Sequence, residues 1–184
     1  MNDHKYKTAT VFILAAFLIV MVCIVTARMA EASDCPYFTG EQRNMLRIAH
    51  ALGDRHGLGD TTAAIVWRES LGCRPGVHVC TSNLADGVAG SYGPMQMQIS
   101  TYASHYHNVH AGEFEWSEWA STAQRMMDDP VFAIESGLGY LVHHVQQRGW
   151  RSGIARYHGG GQQAADYSAD IVRRVRVFES GCRP

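Results

Sequence analysis

Asp60-Thr61-Thr62-Ala63-Ala64-Ile65-Val66-Trp67-Arg68-Glu69-Ser70-Leu71-Gly72 is the stretch that decides what kind of fold this chain adopts. Asp60 is placed to cap a helix running from Thr61 to about Ser70, and Gly72 is placed to close it. Between them, Ala63 to Trp67 form an apolar helical stretch that ends in a carboxylate, Glu69, before a glycine-rich loop. Upstream, Thr39-Gly40-Glu41-Gln42 matches a capping box. It opens a helix whose Met45, Ile48, Ala49 and Leu52 share one face, with Gly57 and Gly59 ending it. Downstream, a long loop from Gly72 to Gly93 precedes helices predicted over Met95–Tyr106, Ser117–Met127, Pro130–Arg148, Arg151–Tyr157 and Ala165–Phe178. Pro130 suits a first helical turn. With few strand-like alternations, no internal repeat and no low-complexity stretch, the expectation is a mainly α single domain.

The length of 184 residues allows one well-packed domain. Apolar residues at 46% and charged residues at 18% belong to a folded protein, and a net charge of −1 gives no reason to expect nucleic acid as a partner. The N-terminus stands apart. Lys5 and Lys7 precede an uncharged apolar run, Thr8–Ala27, with Glu31 and Asp34 beyond it. That order predicts a membrane-targeting helix with its positive end inside and the remainder exported. Ala30-Glu31-Ala32 matches a signal-peptidase site before Ser33, so residues 1–32 form either a signal-anchor or a cleaved signal peptide, and 33–184 the domain. The expected location is periplasmic, held at the inner membrane or secreted.

Cys23 lies in the apolar run, leaving Cys35, Cys73, Cys80 and Cys182 for two disulfides in an oxidising compartment. Three connectivities are possible. The expected pairs are Cys73–Cys80, closing a short loop, and Cys35–Cys182, tying the domain's ends. No cysteine pair has zinc-ligand spacing. His105, His107 and His110, with His143 and His144, lack an acidic partner at ligand spacing, so no metal is expected. Trp116, Trp119 and Trp150 fit core positions better than sugar-stacking ones.

Glu69 is the candidate catalyst. A carboxylate at a helix C-terminus faces the negative end of the dipole, and partial burial beside Trp67 would disfavour its charge further. Both raise its pKa, as a general acid needs near neutral pH.

Four segments carry a family resemblance. Ala64-Ile65-Val66-Trp67-Arg68-Glu69-Ser70 resembles the Glu-Ser segment of soluble-lytic-transglycosylase-type catalytic domains. Gly90-Ser91-Tyr92-Gly93-Pro94-Met95-Gln96-Met97 resembles their Gly-Ala-x-Gly-Leu-Met-Gln segment. Asp129-Pro130 with Ile134, Gly137, Tyr140 and Leu141 is similar to their Asp-Pro helix, and Ala155-Arg156-Tyr157-His158-Gly159-Gly160 to their Ala-x-Tyr-Asn-x-Gly ending. Ser91, Pro94 and His158 depart from the usual Ala, Leu and Asn, Gly87 stands where Ser is common, and the loop after Glu69 is longer than usual.

The resemblance implies a lysozyme-like fold that cuts the β-1,4 bond between N-acetylmuramic acid and N-acetylglucosamine in peptidoglycan, without a cofactor. It makes Glu69 the single acid/base and Tyr157 the hydroxyl that orients it. Ser70, Ser91, Gly93, Met95, Gln96 and Gly160 become glycan-binding positions. One carboxyl suffices for a lytic transglycosylase, because the substrate's N-acetyl group assists departure and its C6 hydroxyl closes onto C1. A hydrolase would use two, and Asp86 is the nearby second candidate, though beside Gly87 it fits a turn. The alternatives are a muramidase of the same fold, or a non-catalytic wall-binding subunit, which would leave Glu69 exposed and unconnected to Tyr157. A secretion, conjugation or phage machine is the partner class such a wall-opening domain would serve.

Overall fold

The computed structural model describes residues 35, 37–73, 90–107 and 115–182, which are mainly helical. Helix α1 spans Gly40–Asp54 and α2 Gly59–Ser70. Strands β1 (Ser91–Tyr92) and β2 (Met97–Gln98) follow, then α3 (Ile99–Tyr102), which widens into a π turn over Ala103–His107. Helices α4 (Trp116–Asp128), α5 (Pro130–Arg148), α6 (Trp150–His158) and α7 (Gly161–Glu179) complete the described chain. The apolar run Thr8–Ala27 and the proposed cut before Ser33 lie outside these residues. Among the described residues no helix is long and apolar enough to cross a membrane.

Local chemistry accounts for most boundaries. The Thr39 hydroxyl accepts from the Gln42 N–H at 3.3 Å, and the Gln42 side chain accepts from the Thr39 N–H at 2.9 Å, completing the capping box. Asp129 caps α5 by accepting from the Phe132 N–H at 3.0 Å, with Pro130 in the first turn. Four expectations need correction. Helix α2 starts at Gly59, so Asp60 lies in its first turn, 3.2 Å from the His50 imidazole, and does not cap it. Gly59 opens α2 and does not end α1, and His50 packs against it; a Cβ there would meet the ring at 3.0 Å. Met95–Tyr106 is not one helix. Gly93 (φ 71°) and Gln96 (φ 50°) are left-handed, which stops a helix and instead turns β1 onto β2, with Ser91 opposite Gln98 and Tyr92 opposite Met97. Helix α7 begins at Gly161, four residues before Ala165, where Gly160 is the N-cap residue.

Two packed clusters result. The larger joins α1, α2, α5, α6 and α7 through Leu46, Ile65, Val66, Leu141, Ile154, Ile171 and Phe178. Helix α2 is its centre, with Thr61 to Val66 all buried. Trp67 extends it outward, 4.9 Å from Phe38 and 5.7 Å from Phe178. The smaller cluster gathers the hairpin, α3 and α4 around Tyr92, Met97, Ile99, Trp119 and Met126, and reaches α5 through Ala133. Two glycines allow close approaches. A Cβ on Gly153 would come within 2.6 Å of the Val145 backbone, where α6 crosses α5. One on Gly93 would sit 2.6 Å from Ala133 Cβ, so the hairpin lies directly on α5.

Cys35 and Cys182 form a disulfide with Cα atoms 4.9 Å apart, as expected for the ends of the domain. Cys73 is also disulfide-bonded; Cys80, its expected partner, lies outside the described residues. Closing a loop of 147 positions restricts the unfolded chain strongly. Replacing Cys35 and Cys182 together by Ser should cost about 2–5 kcal/mol, read as a lower urea midpoint under oxidising conditions. An unchanged midpoint would mean the bond adds nothing.

Candidate active site

The site begins with how α2 ends. Leu71 (φ 52°) and Gly72 (φ 66°) reverse the chain, with the Leu71 N–H bonded to the Trp67 carbonyl at 3.1 Å and the Gly72 N–H to that of Val66 at 3.4 Å. The Gln42 amide donates to the Leu71 carbonyl at 2.6 Å, pinning this turn to the start of α1. Glu69 therefore leaves the last turn of a buried helix in a fixed direction.

Its carboxyl enters a cleft of about 380 Å³ between the two clusters. The hairpin and α3 supply Ser91, Gln96, Gln98 and Thr101 to this cleft, while α5 and α6 supply Tyr140, Tyr157 and His158. Arg156 and Gly159 also line it, and Glu69 is the only carboxyl among the described lining residues. Asp86 lies outside the described residues.

The Glu69 carboxyl is mostly buried, and its pKa is raised above 4.5. Loss of water is the largest cause; hydrogen bonding with Tyr167 and the charges of Arg68, His158 and Arg174 act the other way. Those arginines are engaged elsewhere. Asp170 takes Arg68 Nε at 3.1 Å, Arg174 Nε at 3.0 Å and Arg173 at 3.0 Å, which leaves Glu69 without a dedicated counter-ion among the described residues. Burial works against ionisation of Asp170 too, but Arg174 and Arg173 hold its pKa below the ordinary value. Of these two carboxyls at the site, one is kept ionised and the other is pushed towards its neutral form.

The tyrosines divide differently from expectation. The Tyr157 hydroxyl donates to the Met95 carbonyl at 2.8 Å and so fastens α6 to the hairpin. It remains close enough to Glu69 that burial, and then the carboxylate's charge, hold its pKa well above 10. Gly137 makes room for this contact, since a Cβ there would lie 2.9 Å from Met95 and 3.0 Å from the Tyr157 hydroxyl. The hydroxyl facing Glu69 is that of Tyr167 on α7. It is buried, and it falls short of full hydrogen-bond geometry with any described group, so the carboxyl is the acceptor it can close onto. The His158 ring stacks on Tyr167 at 4.4 Å and 4°, fixing the phenol's plane.

Other predicted positions separate too. Ser91, Met95 and Gln96 line the cleft. Ser70 is fully buried and donates back to the Val66 carbonyl at 2.8 Å, so it serves the helix end and does not face the cleft. Gly93 faces α4 and α5, where a Cβ would also meet the Met126 carbonyl at 2.8 Å; its role is the packed turn. Gly160 is exposed beyond the cleft, and Gly159 (φ 138°) takes the lining position. Trp67 is partly buried and packs against the larger cluster. Trp119 is a buried core residue, and Trp150 packs on the larger cluster with its indole N–H donating to Thr61 at 3.0 Å. The side chain of Trp116 is outside the description. Tyr167 escaped the sequence because it lies past the last recognised segment, which ends at Gly160; its spacing of three from Ala164 and four from Ile171 marks only a buried helix face.

No protein-family model, curated protein or solved structure matches the chain.

A carboxyl whose folded pKa exceeds its unfolded one binds its proton more tightly in the folded state. The stability it contributes is full below pH 4.5 and is lost as pH rises through the folded value. Glu69→Gln, an uncharged isostere, should therefore raise the thermal midpoint at pH 7, with the gain shrinking as pH falls through the folded value and gone below 4.5. A variant less stable than the parent at pH 7 would contradict this electrostatic account.

Proposed function

We propose that the protein is a peptidoglycan lytic transglycosylase with a lysozyme-like catalytic domain, acting outside the cytoplasm behind its N-terminal targeting segment. The observation that carries this is a largely desolvated carboxyl, the only one among the described lining residues, in a cleft whose other walls combine hydroxyl and amide side chains with two methionines, His158 and the single cation Arg156. Glycan strands present hydroxyls and acetamides, which Ser91, Gln98, Thr101 and Tyr140 can bond without bringing a charge. The Cys35–Cys182 disulfide is compatible with an exported domain. The four-segment resemblance points the same way.

In this mechanism, protonated Glu69 gives its proton to the bridging oxygen as the C1–O bond breaks. The substrate's acetamido oxygen takes up the developing charge at C1. Glu69, now a carboxylate, receives the proton of the C6 hydroxyl as that oxygen bonds to C1, giving a 1,6-anhydro end. One carboxyl thus performs both proton transfers and is returned protonated. The Tyr167 hydroxyl stabilises the carboxylate between the two steps, and His158 keeps Tyr167 in place.

The purified chain incubated with peptidoglycan sacculi should release anhydro-muropeptides, identified by mass spectrometry, and Glu69→Gln should lower the rate by at least ~10²-fold. Reducing-end products would make it a muramidase, and no products from the folded chain on several wall types would favour a binding subunit. Tyr167→Phe removes a contact that lowers the Glu69 pKa. It should slow cleavage and move the Glu69 limb of the pH–rate profile upward; an unmoved limb would deny Tyr167 its positioning role.

A further inference from the structure

The cleft does not stop at Tyr140. Thr101 and Tyr140 also line a second pocket, whose far wall is His105 from the π turn and His143 and His144 from α5. The rings form a continuous cluster: His105 is 5.4 Å from Tyr140 and 5.3 Å from His143, and Tyr140 is 4.5 Å edge-on to His144. His144 is 7% exposed, and among the described residues neither of its ring nitrogens has a hydrogen-bond partner. Burying an imidazole with both nitrogens unsatisfied is costly, so such a group calls for a partner that the described chain does not supply.

The surroundings say what kind of ligand. Burial comes first in keeping His144 neutral, with a pKa of about 4; after it, every charge acting on the ring is positive, from His143, Arg156, Arg148 and His105. Among the described residues no carboxylate answers them. Among the described residues, no three His, Cys, Asp or Glu side chains are placed to hold a metal ion. An anion is the complement of such a pocket, and a carboxylate matches imidazole donors in hydrogen-bond geometry.

We propose that the pocket of His105, Tyr140, His143 and His144 is a carboxylate subsite that recognises the peptide carried by the glycan strand in the adjoining cleft. This rests on the glycan-cleaving role above, because the peptide's acidic groups hang from the same strand that passes Glu69. The subsite would make the protein favour peptide-bearing strands over bare glycan.

The test uses the full chain carrying Glu69→Gln, which binds without cleaving. Its calorimetric titration compares three probes: N-acetylmuramyl-L-alanyl-D-isoglutamine, the same compound with its carboxylate amidated, and an N-acetylglucosamine tetramer. The free carboxylate should bind about tenfold more tightly than the amide, equivalent to about 1.4 kcal/mol. Adding His105→Gln and His143→Gln together, or His144→Phe, should abolish that preference and leave tetramer affinity unchanged. The two partly exposed replacements keep the test usable if the buried one impairs folding. Equal affinity for the two muramyl probes, or a preference that survives the replacements, would overturn the subsite. So would an equal loss for all three probes, which would make the histidines structural. A failure here leaves the sacculus assay untouched, since no cleavage is read; a chain that binds the muramyl carboxylate but releases nothing from sacculi would instead sink the enzymatic role.

Discussion

Much of this structure depends on how one helix is made to end. Helix α2 is buried almost throughout, so its last turn has little freedom to fray. Its orphan carbonyls are met by the Leu71–Gly72 reversal and by the Gln42 amide. A loose end would let Glu69 swing into water, where its pKa would return to the ordinary carboxylate range. Gln42 therefore has two functions in one side chain: its oxygen caps α1 and its nitrogen holds the turn beyond Glu69. The capping box was legible in the sequence, but its second partner, 29 residues away, was not.

The balance of charges around Glu69 follows from the same packing. Two arginines lie near enough to stabilise its carboxylate, and in a pairwise view they would lower its pKa. Asp170 takes both of their guanidinium Nε groups, so the solvation lost on burial outweighs what remains. The second tyrosine follows a similar division of labour. Tyr157 holds the hairpin against α6 while Tyr167 faces the acid, and the two hydroxyls are kept neutral by burial.

The helices were readable wherever local signals agreed: Pro130–Arg148 has a capping aspartate, a first-turn proline and a terminal Gly149. The hairpin was not, because its strands are two residues each and its turn depends on left-handed Gln96, a residue without strong turn preference. Among site positions, Glu69, Ser91, Met95, Gln96 and Tyr157 were placed from motif order. Ser70 and Gly93 belong to the same segments but serve the backbone, since a motif records proximity and not direction. Tyr167 and the unpaired His144 needed three dimensions: one is brought in by α7, and the other is exceptional only for the partners it lacks.

Lone-acid chemistry at this cleft depends most directly on the protonation of one carboxyl. The 13C side-chain resonance of Glu69, followed against pH in the full chain, should titrate with a midpoint above 4.5, and that resonance alone should vanish in Glu69→Gln. A midpoint at or below 4.5 would show an ordinary solvated carboxylate, and the lone-acid chemistry built on it would fail.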